Sequence, residues 1–418
     1  MGRPVDVAVV GAGPYGLSVA AHLSARGADI RVFGTPMQTW QESMPVGMSL
    51  KSEGFASSLS DPNKALTLRA YCTRHNIAYA DTGIPVPVKV FAAYGKAFQE
   101  RFVPDLVQKK VISILPASHG FDLHTEDGDI VAAQRVVVAS GIRSYDYIPP
   151  ELQGVPRQHL SHSVEYGDAA HLKGQDVLVV GAGSSATDMA AHLRLRGANA
   201  RIVTRRKAIT FQSPLGQRSL LDTIKAPMTG LGPGWKSVLC VKAPLLFHAM
   251  PEAFRIDVVR RYLGPAPAWF VRQEVEGHVP YTLQSQIIGT EVVGGRVSLV
   301  LRGSDGTEHR VTGDHVLAAT GYRVDIDRLA FLDAGMRKSL RLAGRAPALS
   351  NHFESSIPGL YFVGTAAANS FGPMLRFVYG ADFAARRLAR HLAPRVLHRS
   401  VASKTVPGNA QVTVEPTT

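Results

Sequence analysis

Val5-Asp6-Val7-Ala8-Val9-Val10-Gly11-Ala12-Gly13-Pro14-Tyr15-Gly16 stands near the start of the chain, and Asp176-Val177-Leu178-Val179-Val180-Gly181-Ala182-Gly183-Ser184-Ser185-Ala186 repeats its design further along. Each reads as an apolar strand, a glycine turn and the start of a helix, which is the context a pyrophosphate-cradling motif requires. The first glycine permits the tight turn and the second lets a ligand come close to the backbone. The third small residue (Gly16 or Ala186) allows helix to pack on strand, and the helix N-terminus offers unpaired N–H groups. Two correctly flanked copies predict two bound nucleotides, and hence electron transfer between cofactors.

With 418 residues the chain exceeds what one core usually holds and favours two domains, one split by the other. Its 45% hydrophobic and 19% charged content is that of a soluble globular protein. A formal charge of +13 suits an anionic partner, whether nucleic acid, membrane surface or small molecule. Arg386, Arg387, Arg390, Arg395 and Arg399 form a basic cluster near the C-terminus, but no nucleic-acid motif accompanies them. Nucleic acid is therefore not an expected partner. The two cysteines, Cys72 and Cys240, form no C-x-x-C or C-x4-C pair, which argues for a reducing compartment and against disulfide-reductase chemistry. The chain enters its first strand at once, leaving no room for a signal peptide, and no apolar run reaches the roughly 18–20 residues that cross a bilayer. Cytoplasm is the default location.

Along the chain, strands are expected at 29–33, 107–115, 121–125, 135–139, 176–180, 200–204, 297–301, 309–311, 316–322 and 360–363. Helices are expected at 65–75, 92–101, 185–196 and 377–393, with a polar tail beyond Pro394. Between 211 and 280, Pro227, Pro233, Pro244, Pro251, Pro265 and Pro267 punctuate a stretch carrying Trp235, Phe247, Phe254 and Trp269, which predicts short helices between proline breaks. This insert reads as a small subdomain with its own core, or alternatively as a substrate-gating cap, a homodimer surface or a membrane-surface patch. The last draws on Lys236, Lys242, Arg260 and Arg261 beside its aromatic residues.

The residues after the second strand of each motif select the nucleotide, because an acid there grips a ribose. At the second motif that place holds Thr204-Arg205-Arg206-Lys207, where two guanidinium groups suit a 2′-phosphate and so favour NADPH over NADH. At the first motif it is Gly34, with Gln38 and Glu42 as substitute ribose partners. No His-x-x-x-His pair is backed by a carboxylate, so no metal is expected. Ser184-Ser185 lacks the second glycine of a nucleophile elbow and reads as part of a phosphate turn.

Over about residues 5–395 the chain resembles the two-dinucleotide flavoprotein monooxygenases: flavin-containing monooxygenases, Baeyer–Villiger enzymes and amino-acid N-hydroxylases. Gly11, Gly13 and Gly16, with Pro14, match the FAD turn, and Gly181, Gly183 and Ala186, with Ser184 and Ser185, match the NADPH turn. Leu152-Gln153-Gly154 and His162-Ser163-Val164-Glu165-Tyr166 resemble the monooxygenase fingerprint, with Leu152 replacing its aromatic residue and a longer spacer. Ala319-Thr320-Gly321-Tyr322, Trp40 and Gly359-Leu360-Tyr361-Phe362-Val363-Gly364 resemble further family segments, and Thr365 replaces the Asp of disulfide reductases.

The resemblance implies an α/β fold with two Rossmann-like dinucleotide-binding domains. An FAD domain (1–165 and 316–395) is split by an NADPH domain (166–315, including the proline-rich, partly helical insert at about 211–280), and a flexible tail follows at 396–418. It also implies NADPH reduction of FAD, oxygen addition to give a C4a-peroxyflavin, and transfer of one oxygen atom to a nitrogen or sulfur centre of a small-molecule substrate. Lys51 and Ser52 are candidates for the flavin edge and His162 for the junction between domains. Two alternatives stand beside this: an NAD(P)H:quinone- or ferredoxin-type flavin reductase, and a flavin-binding protein without turnover.

Overall fold

A computed structural model describes residues 3–166, 168–214, 219–262, 264 and 266–400. The first lobe is built on a four-stranded parallel sheet. Strand β1 (Val7–Val10) pairs on one side with β2 (Ile30–Phe33) and on the other with β6 (Val136–Val138), which in turn pairs with β19 (Leu360–Phe362). All four residues of β1 are buried, as an inner parallel strand covered on both faces requires. Helix α1 (Pro14–Ser24) covers the sheet, while α2 (Leu68–Arg74), capped by the Thr67 hydroxyl, and α3 (Val88–Phe102) complete that layer. A small antiparallel sheet of β3 (Val111–Ala117), β4 (Gly120–Thr125) and β5 (Ile130–Ala133) includes the hairpin around Asp127-Gly128 expected from sequence.

The second lobe carries a five-stranded parallel sheet in the order β12-β9-β8-β16-β7. Its strands are β7 (Leu160–His162), β8 (Asp176–Val180), β9 (Asn199–Val203), β12 (Tyr281–Thr282) and β16 (His315–Ala318). Helix α4 (Ser184–Leu195) follows β8, and an antiparallel sheet of β13 (Ser285–Val293), β14 (Arg296–Gly303) and β15 (Glu308–Gly313) packs beside it. The insert consists of short helices: α5 (Leu220–Lys225), the hairpin β10 (Met228–Thr229) and β11 (Gly232–Pro233), α6 (Trp235–Lys242), α7 (Pro244–Ala249), α8 (Glu252–Arg261) and α9 (Arg272–Val275). Prolines begin α7 and precede α8, as the proline-break reading anticipates. The chain then returns to the first lobe through α10 (Ala334–Ser339), the hairpin β17 (Leu342–Ala343) and β18 (Ala346–Pro347), β19 and α11 (Ala368–Phe371). The last described element is α12 (Ala381–Ser400), which packs against α1.

The structure moves several expected boundaries. Strands β7 and β16 pair with each other, and β16 also pairs with β8, so both belong to the second sheet. The strands of that sheet thus run from Leu160 to Ala318, on both sides of the expected span 166–315. The expected strand 107–115 starts later, at Val111, with Val107 making an isolated bridge to Phe33. Helix α12 continues through Pro394 to Ser400 and overlaps the expected tail, whose residues 401–418 lie outside the described residues.

The lobes are joined by two crossing strands of backbone. Tyr147 N donates to Gly321 O at 3.0 Å and Arg323 N to Tyr145 O at 2.7 Å, while Asp146 and Tyr322 form an antiparallel bridge. His162 is fully buried beside this crossing. Its Nδ1 accepts from Val164 N at 3.2 Å, so Nε2 carries the proton and donates to Gly321 O at 3.0 Å. Burial holds this imidazole below its ordinary pKa, consistent with the neutral form that the two bonds demand. His162 is thus hydrogen-bonded to the backbone of the crossing.

A second buried imidazole, His315 of β16, has Ser161 Oγ at 2.7 Å and the Tyr166 hydroxyl at 3.1 Å from Nε2. Burial, aided by His171 and His159, pushes it from 6.5 down to about 4. Above the unfolded pKa both states hold the ring neutral and its contribution to stability is complete. As pH falls through the window from about 6.5 to about 4, the unfolded chain takes up a proton that the folded chain refuses, and stability is lost. The melting temperature is expected to fall as pH drops from neutral towards about 5, and His315→Gln to flatten that slope. Equal slopes for variant and wild type in calorimetric melts would remove His315 from the account.

Candidate functional site

Gly11 adopts φ +119°, and a Cβ there would stand 2.2 Å from the Ala139 carbonyl oxygen. A Cβ on Gly16 would stand 1.8 Å from Gly11 O, so both positions demand glycine. Gly13 is different: a Cβ there meets nothing within 4 Å, which leaves the hollow a pyrophosphate needs. Gly13 is the N-cap of α1 and Gly183 the N-cap of α4, and no side chain caps either helix. The N–H groups of both first turns therefore remain available to an anion. At the second turn a Cβ on Gly181 (φ +146°) would lie 2.4 Å from Ala319 O. The two turns are built alike, each crowded by the end of a neighbouring strand. These features fit a dinucleotide at each turn.

In the parallel register Val180 lies opposite Val203, and Gly181 N donates to Val203 O at 3.0 Å. Thr204, Arg205 and Arg206 consequently emerge beside the second turn. Both arginines are exposed and form no ion pair with the described residues. Gly34, which follows β2 beside the first turn, has φ +120°, a conformation that excludes an ordinary acidic side chain. The substitutes proposed for it are engaged with one another: Gln38 donates to Glu42 at 2.9 Å, and Arg143 pairs with Glu42 at 2.6 Å.

A cleft of about 770 Å³ lies between the lobes, and Trp40, Lys51, Ser52, Ser184 and Ser185 all border it. Trp40 is held edge-on against Phe91 with centroids 4.8 Å apart. His162 does not border the cleft, Thr320 donates its hydroxyl to the Tyr147 carbonyl, and Gly321 is spent on the crossing. Gly364 begins a short 3-10 turn against the Tyr15 ring, whose hydroxyl donates towards Leu375 O and Phe377 O (3.0 and 2.8 Å).

Several cleft residues had not been singled out from sequence. Asp188, one turn into α4, accepts from Ser184 Oγ at 3.0 Å and pairs with Lys51 Nζ at 2.8 Å. Lys51 also donates to Ser49 O at 2.9 Å and lies 5.5 Å from the Phe270 ring centroid. One ion pair thus ties the first lobe to the helix of the second motif. The insert closes another side with Met228, Leu231, Trp269 and Phe270. Tyr322, whose burial pushes its phenol up to about 12, stays protonated at any working pH. Asp188 had one local signal, its i+4 spacing from Ser184; its partnership with Lys51 had none. Among the described residues no cluster of His, Cys, Asp or Glu is arranged to hold a metal, and no helix is long and apolar enough to cross a membrane.

Residues 5–221 match the family model described as pyridine nucleotide-disulphide oxidoreductase, and the chain belongs to that family. It is accordingly an oxidoreductase with sites for FAD and a pyridine nucleotide. The reduced form of ornithine hydroxylase from Pseudomonas aeruginosa has the same fold, with 17% identity, a TM-score of 0.72, and coverage of 94% of this chain and 99% of that one. The FAD-bound cadaverine monooxygenase of desferrioxamine biosynthesis from Erwinia amylovora matches with 16% identity, a TM-score of 0.71 and coverage of 98% and 100%. In sequence, the ferredoxin–NADP reductase of Gluconobacter oxydans (strain 621H) is 23% identical over 315 residues, spanning 73% of this chain and 76% of the relative.

Two variants separate nucleotide grip from lobe alignment. Replacing Arg205 and Arg206 with Ala is expected to raise the NADPH KM by about tenfold or more while changing that for NADH little, because only NADPH carries the 2′-phosphate. Asp188→Asn removes the charge that holds Lys51. It is expected to slow anaerobic flavin reduction by about tenfold through loss of alignment, with nucleotide preference unchanged. A variant reduced at the wild-type rate would show that the ion pair does not set the approach of the two cofactors.

Proposed function

We propose that this oxidoreductase is an FAD- and NADPH-dependent monooxygenase that places one oxygen atom on a nitrogen or sulfur centre of a small molecule. The observation that carries this reading is the cleft between the lobes, which reaches the second turn at Ser184 and Ser185 and is walled on several sides by apolar groups. Trp40, Met48, Leu50, Trp269 and Phe270 line it, and chemistry of this kind needs such a water-poor space. When bound, the flavin supplies the hydride acceptor and the reaction with oxygen.

The chain's own residues bind and orient. The N-terminal N–H groups of α1 hold the FAD pyrophosphate, and Ser184 and Ser185 with the first turn of α4 hold that of NADPH. Arg205 and Arg206 grip the 2′-phosphate, and Lys51 with Asp188 fixes the approach of the lobes. Trp40 and Ser52 face the space where the two cofactors meet. The overall fold shared with the ornithine and cadaverine hydroxylases agrees with this reading.

A second reading, electron delivery to a quinone or ferredoxin, draws on the ferredoxin–NADP reductase relative. Turnover in isotopically labelled oxygen separates the two. Incorporation of label into an amine or thioether product, in step with NADPH oxidation, is the expected result. Rapid NADPH oxidation with quinone or ferredoxin as acceptor, and unlabelled substrates throughout, would overturn the monooxygenase reading.

A further inference from the structure

Arg386, Arg387 and Arg390 of α12 do not line the cleft. They line a separate hollow of about 900 Å³, which shares no lining residue with the dinucleotide cleft. Lys64 enters it from the loop before α2 and Lys242 from the end of α6, so its cations converge from three distant parts of the chain. Lys64 holds a left-handed backbone, φ +52°, which a non-glycine residue adopts only at some cost.

Among the described residues lining the hollow the one carboxylate is that of Asp382, and it is already engaged by Ser60 Oγ at 2.6 Å and Arg386 Nε at 2.7 Å. Lys64, Lys242, Arg387 and Arg390 form no ion pair among the described residues. Arg387 donates Nε to the Asn351 carbonyl, which orients its guanidinium. His352 and His391 stack on the wall with centroids 4.2 Å apart, and Phe55, Tyr379 and Phe383 add aromatic surface.

Like charges gathered around a hollow repel one another, and a multiply charged anion relieves that repulsion. Two planar guanidiniums beside two ammonium groups suit phosphate oxygens, and the aromatic wall suits an organic body attached to them. We propose that this hollow is a binding site for a phosphate ester, distinct from both nucleotide sites. The same chemistry is offered by a soluble organic phosphate and by a phospholipid headgroup.

The test uses the full chain loaded with FAD and saturated with NADP⁺, so that both glycine turns are filled. Inorganic pyrophosphate is titrated calorimetrically at constant ionic strength, and vesicles of phosphatidylcholine with or without phosphatidic acid are tested for capture in parallel. Saturable pyrophosphate binding is expected, weakened about tenfold or more by the double substitution Arg387→Ala and Arg390→Ala, with the KM for NADPH unchanged. Lys64→Ala, at an exposed position outside the core, gives a second variant and is expected to weaken binding in the same direction. Capture on phosphatidic acid vesicles that pyrophosphate reverses assigns the site to a lipid headgroup, whereas pyrophosphate binding without capture assigns it to a soluble ester. The proposal is overturned if pyrophosphate binds no better than sulfate at equal ionic strength, or if folded variants bind it as the wild type does.

Discussion

Each nucleotide turn depends on a backbone approach too close for any side chain. The Ala139 carbonyl crowds Gly11, and the Ala319 carbonyl crowds Gly181 in the same way. In both lobes the crowding strand is the parallel neighbour of the strand that leads into the turn, β6 beside β1 and β16 beside β8. The glycine is therefore needed to bring two strand ends together before it is needed by any ligand. Once they meet, the chain leaves each sheet at matching points, Ser140-Gly141 and Thr320-Gly321. From these points the two crossing segments run antiparallel and bind the lobes. Sheet packing and turn geometry are consequences of one steric requirement.

What was legible from sequence was the local part of this arrangement. Strand β8 runs over the residues expected, and the arginines after β9 emerge beside the second turn because a parallel register leaves little freedom there. The nonlocal part was hidden. Strand β7 reads as a short polar stretch, Leu-Ser-His, and becomes a strand only because β16 arrives beside it from a distant part of the chain. Strand β13 lacks clean alternation: its register shifts between Ile287 and Gly289, and Val292 and Val293 are exposed. The Lys51–Asp188 pair joins residues 137 apart, a separation at which spacing carries no signal.

Gly34 shows how an apparent departure from pattern can have a physical cause. Its φ of +120° and the approach of Ala12 N, 3.4 Å from where a Cβ would lie, make the position a turn requirement. The missing acid is thus a consequence of how β2 ends, and it does not weaken the fit of the first turn to a dinucleotide. Gly13 still presents open space, and α1 still lacks a side-chain cap.

The cysteines define what this scaffold has to do differently from the disulfide reductases whose family name it shares. Cys72 lies in α2 and Cys240 in α6, both are buried, and burial pushes both thiols up and away from the reactive thiolate. Neither borders the cleft, so no thiol pair stands ready to receive electrons there. The insert supplies much of that cleft's wall, with Met228, Leu231, Trp269 and Phe270 all contributed between β9 and β12. Any molecule that enters the cleft therefore meets a wall built in large part by the proline-broken insert.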